Sequence, residues 1–129
     1  MTGLPQLARE LLDGPNFATV VTLQPDGAPQ ASIVWVKRNG DDVLFSTIRG
    51  RRKTTNLETD PRTTVVITDV ASPYRYAEVR GRAEITDDPT AALIQELSHK
   101  YDGQPFEEPA GRRRVIVRVR AEHVAMHGA

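Results

Sequence analysis

Arg51, Arg52 and Lys53 stand side by side after Gly50, where an apolar strand over residues 43–48 gives way to the start of a short helix. Helices ordinarily carry acids in their first turn, because the aligned peptide dipoles make that end positive. Three cations placed there repel one another and the dipole, and a bound phosphate or carboxylate would relieve the mismatch. The first-turn N–H groups, with guanidinium and ammonium groups beside them, make an anion site from two cooperating effects. The plain alternative is a solvated basic face. Arg49 adds a fourth positive charge to the same stretch.

The other chemistry-bearing residues form no catalytic constellation, and no catalytic residue is assigned. His99, His123 and His127 share no metal-ligand spacing; the last two are four apart, but near the end of a strand that spacing does not align them. They read as exposed or packing side chains, and no metal site is expected. No nucleophile elbow, Walker A run or Gly-x-Gly-x-x-Gly after a strand is present, so triad hydrolysis, nucleoside-triphosphate chemistry and Rossmann binding lack support. Asp41-Asp42 and Asp87-Asp88 fall where a turn and a helix start need them. A second basic run, Arg112-Arg113-Arg114, follows Glu107 and Glu108, and local charge pairing is its expected role. Trp35 and the Tyr74/Tyr76 pair are the aromatics placed to stack on a planar ligand, although Trp35 suits core packing equally well.

Composition narrows the setting. The 129 residues suffice for one domain spanning 1–129. Seventeen basic and seventeen acidic residues cancel, so no global field attracts nucleic acid or an anionic membrane. Without cysteine there is no disulfide framework, thiolate catalysis or Cys-ligated zinc, which fits a cytoplasmic protein. Residues 1–13 are mixed and include Arg9 and Glu10, unlike a signal peptide, and no apolar run approaches the roughly 20 residues that span a bilayer.

The elements that must position the basic turn follow from local patterning. Leu4, Leu7, Ala8, Leu11 and Leu12 recur at helical spacing and predict a short amphipathic helix ending at Asp13-Gly14-Pro15. Strands are predicted over 17–24 and 29–38, joined by the Pro25-Asp26-Gly27 turn, with Ile33, Trp35 and Lys37 on one face of the second. Asn39-Gly40 signals a hairpin into 42–48. Asp60-Pro61 ends the basic helix, and strands follow over 63–70 and 74–86, the latter interrupted at Gly81 by a bulge or bend. Asp87-Asp88-Pro89 opens a helix with an apolar stripe of Ala92, Leu93, Leu97 and Tyr101, and the last strand covers 113–126. Six strands with short turns predict a mainly β fold with α additions, a mostly antiparallel barrel. Runs such as Thr19-Val20-Val21 and Val65-Val66-Ile67 are apolar on both faces, and a homodimer is the economical cover for the second face.

Several pieces of the chain resemble one family in order and spacing. They are residues 17–23 with Asp26-Gly27, residues 29–36, Ser46 leading into Arg51-x-Lys53-x-x-Asn56-Leu57-x-x-Asp60-Pro61-Arg62, and residues 76–81 ending in Gly81. The family is that of the pyridoxamine 5′-phosphate oxidase-like split β-barrel proteins. Within it the chain is most similar to the actinobacterial branch that uses the deazaflavin coenzyme F420 in place of FMN. The Arg-x-Lys-x-x-Asn-Leu-x-x-Asp-Pro-Arg run is the most specific element.

The resemblance implies a homodimeric split β-barrel with cofactor sites at the subunit interface. It also implies an F420-dependent reductase that passes a hydride to a small activated acceptor of quinone, enone or tetrapyrrole type. The family's phosphate-binding basic residues fall on Arg51 and Lys53, with Asn56 securing the loop or touching the cofactor. Gln30, Ser32, Ser46 and Thr47 occupy strand positions that flank the ring in similar proteins, and Tyr74, Arg75 and Tyr76 match the segment given by the second subunit. Arg49, Arg51, Arg52 and Lys53 together offer more charge than one FMN phosphate requires, which favours the longer anionic tail of F420. The alternatives are an FMN-binding oxidoreductase of the pyridoxamine 5′-phosphate oxidase type and a non-enzymatic module that binds a flavin or haem. A true oxidase of that type is expected to extend further with added basic residues, whereas this chain ends at Ala129.

Overall fold

The structure is a computed structural model that describes residues 3–128; Met1, Thr2 and Ala129 of the expected domain lie outside the described residues. In chain order the elements are α1 (Gln6–Asp13), β1 (Ala18–Leu23), β2 (Pro29–Val34), β3 (Lys37–Asn39), β4 (Asp42–Ile48) and α2 (Arg52–Thr59). These are followed by β5 (Arg62–Thr68), β6 (Tyr76–Asp87), α3 (Ala92–Asp102) and β7 (Arg114–His127). All seven strands belong to one sheet of order β2-β1-β5-β6-β7-β4-β3, and every pairing is antiparallel.

The long antiparallel β6–β7 pair, whose strands are connected through α3, joins two halves of this sheet. β5 pairs with the first part of β6 (Tyr76 to Arg82), and β4 with the first part of β7 (Arg114 to Arg120). Between the halves the β6–β7 register shifts at Arg80/Gly81, leaving Glu122 of β7 as the extra residue. A Cβ at Gly81 would stand 1.9 Å from the Arg120 carbonyl oxygen, so only glycine allows this approach. The expected interruption is there, and it bends the sheet so that its halves enclose a core of Val20, Val36, Val43, Phe45, Val65, Ile67, Val79, Val117 and Val119. α1 covers that core with Leu7, Leu11 and Leu12. α3 packs outside β4 through Leu93 and Leu97 against Leu44.

Three expectations need correction. The single strand predicted over 29–38 is two strands on opposite edges of the sheet, making seven rather than six: the chain leaves β1 after Val34, crosses at Trp35 and Val36, and joins β4 from Lys37. Apolar alternation runs unbroken through that crossing, so periodicity does not reveal it. In α3, Ala92 is exposed and Ile94 is buried, so the stripe is shifted. The helix also starts later than its aspartates, with Asp88 accepting from the backbone N–H of Ala92 (3.2 Å) and Leu93 (2.9 Å). Among the described residues no helix is long and apolar enough to cross a membrane.

Candidate functional site

The β4–α2 junction is built to hold its backbone still. Gly50 takes a positive φ of +92°, and the Arg51 N–H closes the turn onto the Ile48 carbonyl at 3.2 Å. The buried Thr54 hydroxyl donates to the same carbonyl at 2.9 Å and shares a hydrogen bond with Thr47 Oγ1 at 3.2 Å. Arg51 is the N-cap residue rather than part of the first turn, it makes no side-chain cap, and the first turn after it holds no acid. The leading N–H groups of α2 therefore lack the usual acceptor.

A cleft of about 330 Å³ opens at this helix start. Ser46, Thr47, Arg51 and Lys53 line it, and Phe17, Trp35, Ile94, Leu97 and Phe106 are among its apolar lining residues. Arg51 and Lys53 line it and Arg52 does not. Burial pushes the half-buried Lys53 ammonium below the usual lysine range, and the charge of Arg51 lowers it further. Among the described residues none of Arg51, Arg52 and Lys53 has a carboxylate partner. Arg49, counted with them from sequence, does: it binds Glu58 at 3.2 Å and Asp87 at 3.0 Å, so its charge is spent locally.

The other site residues separate into three groups. Asn56 is buried within α2; its Nδ2 donates to Thr22 Oγ1 at 3.0 Å, and Thr22 donates to Gln30 Oε1 at 2.9 Å. This chain ties the β1–β2 hairpin to the helix, leaving Gln30 beside the cleft's elements without lining it. Ser32 Oγ, Ser46 Oγ and Asn56 Oδ1 are buried atoms with no hydrogen-bond partner, each on a residue singled out from sequence. Such atoms cost free energy unless a ligand or another chain meets them. Tyr74, Arg75 and Tyr76 do not line this cleft within one chain: Tyr74 is exposed, Arg75 is held by Glu10 (2.8 Å) and Asp69 (3.1 Å), and Tyr76 stacks on His127.

Sequence reasoning missed Ile94, Leu97, Phe106, Arg112 and Arg114 as cleft residues. They come from α3, the loop after it and the first residue of β7, which tertiary packing brings to β4. Arg114 is bound to Glu108 at 2.7 Å with its guanidinium over the Phe106 ring, and Arg112 approaches the same carboxylate at 3.8 Å, the local pairing expected of this run.

An antiparallel sheet split between two halves, with a basic helix start opening onto a cleft, defines a split β-barrel of the flavin-binding kind. Comparison with known proteins agrees. The family model described as pyridoxamine 5′-phosphate oxidase matches residues 4–128, and the chain belongs to that family, which places it in a class of flavin-type oxidoreductases. A solved structure named F420 reductase is 35% identical, covers 95% of this chain and 98% of its own, and superposes with a TM-score of 0.86. A conserved hypothetical protein of Mycobacterium tuberculosis (23% identity, 92% and 81% covered, TM-score 0.76) shares the fold. General stress protein 26 of Bacillus anthracis also shares it (18% identity, 95% and 92% covered, TM-score 0.74).

Proposed function

We propose that this chain is an F420-dependent oxidoreductase that transfers a hydride between reduced deazaflavin and a small activated acceptor of quinone, enone or tetrapyrrole type. One observation carries the reading: a single cleft joins two unneutralised cations at a helix start, a buried partnerless Ser46 hydroxyl and an aromatic wall. These suit an anionic group joined to a flat ring. The cleft's 330 Å³ is at the small end of ligand sites, room for a ring and its nearest anion, with a longer tail left to the surface. The 35% identity to a structure named F420 reductase supports the deazaflavin over FMN.

In this reading Arg51 and Lys53 hold the cofactor phosphate, and Ser46 and Thr47 serve the ring side from within the cleft. Ser32 and Gln30 serve it from β2 although they do not line the cleft of one chain, and Asn56 secures the hairpin through Thr22. When bound, the deazaflavin supplies the hydride chemistry; the chain binds, orients and keeps water from the ring. A homodimer belongs to the proposal, with Tyr74, Arg75 and Tyr76 of the second copy completing the cleft. Exposed Phe17 and Ile33 near its mouth would then be covered.

A second reading, an FMN-binding oxidoreductase, draws on the neutralised Arg49. With that cation removed, Arg51 and Lys53 match the needs of a single phosphate. Fluorescence titration with both cofactors at low and high salt separates the two. F420 is expected to bind more tightly, with a moderate salt dependence from its exposed tail, and its reduced form to be oxidised by a quinone. Tighter FMN binding, or no binding of F420, would move the conclusion to the flavin enzyme.

A further inference from the structure

The crossing from β2 to β3 leaves Trp35 and Val36 outside strand pairing, and the last turn of α3 closes it with side chains. Tyr101 Oη accepts from the Val36 N–H at 3.2 Å and donates to the Asn16 carbonyl. Lys100 Nζ donates to the carbonyls of Val36 and Leu12, each at 2.6 Å. Asn16 is buried in turn, its Nδ2 donating to Leu11 O at 2.9 Å and its Oδ1 accepting from the Val70 N–H at 3.1 Å. Two adjacent residues thus satisfy both backbone groups of Val36 and tie the crossing to the end of α1 and the entry to β1. The same Tyr101 ring lies nearly parallel to the Trp35 indole (5.3 Å between centroids, 7°) and tilted against Phe17 (5.8 Å, 31°). Trp35 and Phe17 line the cleft, and neither Lys100 nor Tyr101 does.

We infer that Tyr101 and Lys100 are positioning residues: they pin the Trp35–Val36 crossing, so that Trp35 stands as a fixed flat wall and the cleft's affinity for a planar ring depends on them without contact. The ligand half of this inference rests on the proposed cofactor reading; the positional half does not. Side chains satisfying a backbone crossing constrain it more tightly than apolar packing alone, because each bond fixes direction as well as distance.

Trp35 is the only tryptophan, so its fluorescence reports the wall in the ligand-free protein. The variants are Tyr101→Phe, which keeps the ring stack but loses the hydroxyl, Tyr101→Leu, which loses both, and Lys100→Met; Val79→Ala in the main core is the destabilising control. Tyr101→Phe and Lys100→Met are expected to shift Trp35 emission to the red and raise its quenching by acrylamide, with Tyr101→Leu larger and Val79→Ala without effect below its melting range. Whichever of F420 and FMN the wild type binds should bind Tyr101→Leu about three- to tenfold more weakly, the worth of one aromatic contact, with salt dependence unchanged because Arg51 and Lys53 are untouched. Should Tyr101→Leu not fold, the two milder variants carry the test. Wild-type emission and quenching in folded Tyr101→Phe and Lys100→Met, or an equal change in Val79→Ala, would overturn the inference. A wild type that binds neither cofactor refutes the oxidoreductase reading, and the fluorescence arm still decides whether the pair positions Trp35.

Discussion

Two runs of three consecutive cations, Arg51-Arg52-Lys53 and Arg112-Arg113-Arg114, border the same cleft and differ in what neutralises them. The first has no carboxylate partner among the described residues and sits on a helix start with no acid in its first turn. In the second, Glu108 binds Arg114 at 2.7 Å and lies 3.8 Å from Arg112, and the Arg114 side chain is only 8% exposed. Equal formal charge therefore serves two ends. A cation that has found a fold partner contributes to stability, while one kept without a partner beside a cleft remains available to a ligand. Arg49 makes the same point within the first cluster, since Glu58 and Asp87 already hold it.

The strongest way to break this contrast is at Glu108. Its removal in Glu108→Ala leaves Arg114 buried without a counter-ion, and a cost of about 2–3 kcal/mol is expected, near the low end for such pairs because Glu108 is 20% exposed. Thermal and urea melts would show it. A midpoint within error of wild type would mean that the second run is as idle structurally as a surface pair.

Lys53→Ala should give the converse result. Removing one charge-assisted partner of a phosphate commonly costs about 1.5–3 kcal/mol, so cofactor affinity is expected to drop roughly ten- to hundredfold. Stability should stay within about 0.5 kcal/mol of wild type, as for other partnerless surface-edge positions. Arg52→Ala, on the same helix start but outside the cleft, sharpens the comparison: its loss of affinity should be several-fold smaller. Equal losses at Arg52 and Lys53, measured by the same titration, would replace a specific phosphate site with a diffuse basic face.

The smallest effect compares the two half-buried lysines by pH. Burial lowers the pKa of both, Lys53 also through Arg51, and Lys100 reaches about 8 despite the charges of Asp13 and Glu96 nearby. The folded-state pKa of Lys100 lies below the unfolded value of 10.5, so the unfolded chain binds more protons between these values and stability rises with pH across that window. Burial raises the Tyr101 pKa, which moves the titration of the phenol away from that of Lys100. Urea midpoints at about pH 7.5 and about pH 9.5 should therefore increase, and Lys100→Met should flatten the increase. Lys53 lacks the carbonyl acceptors that Lys100 has. An anion bound there would raise its pKa, so affinity should fall as pH rises through the titration of Lys53.

Much of this was legible locally. Helical spacing of Leu7, Ala8, Leu11 and Leu12, the turn at Asp26-Gly27, the bulge at Gly81 and the basic helix start after Gly50 all follow from side-chain period, turn chemistry and the geometry glycine allows. Each signal comes from residues within a few positions of one another. What the tertiary structure decided lies at long sequence separation. The crossing at Trp35 and Val36 is hidden because alternation reports which face is buried, and here Val34 before it and Val36 within it enter the same core. Its backbone partners are Lys100 and Tyr101, more than sixty positions away. Arg49 is paired with Asp87, 38 residues on, and Arg114 with a loop carboxylate whose approach depends on how α3 packs against β4. Local sequence set which groups could carry charge or stack; only the meeting of distant segments determined which of them were left free to bind.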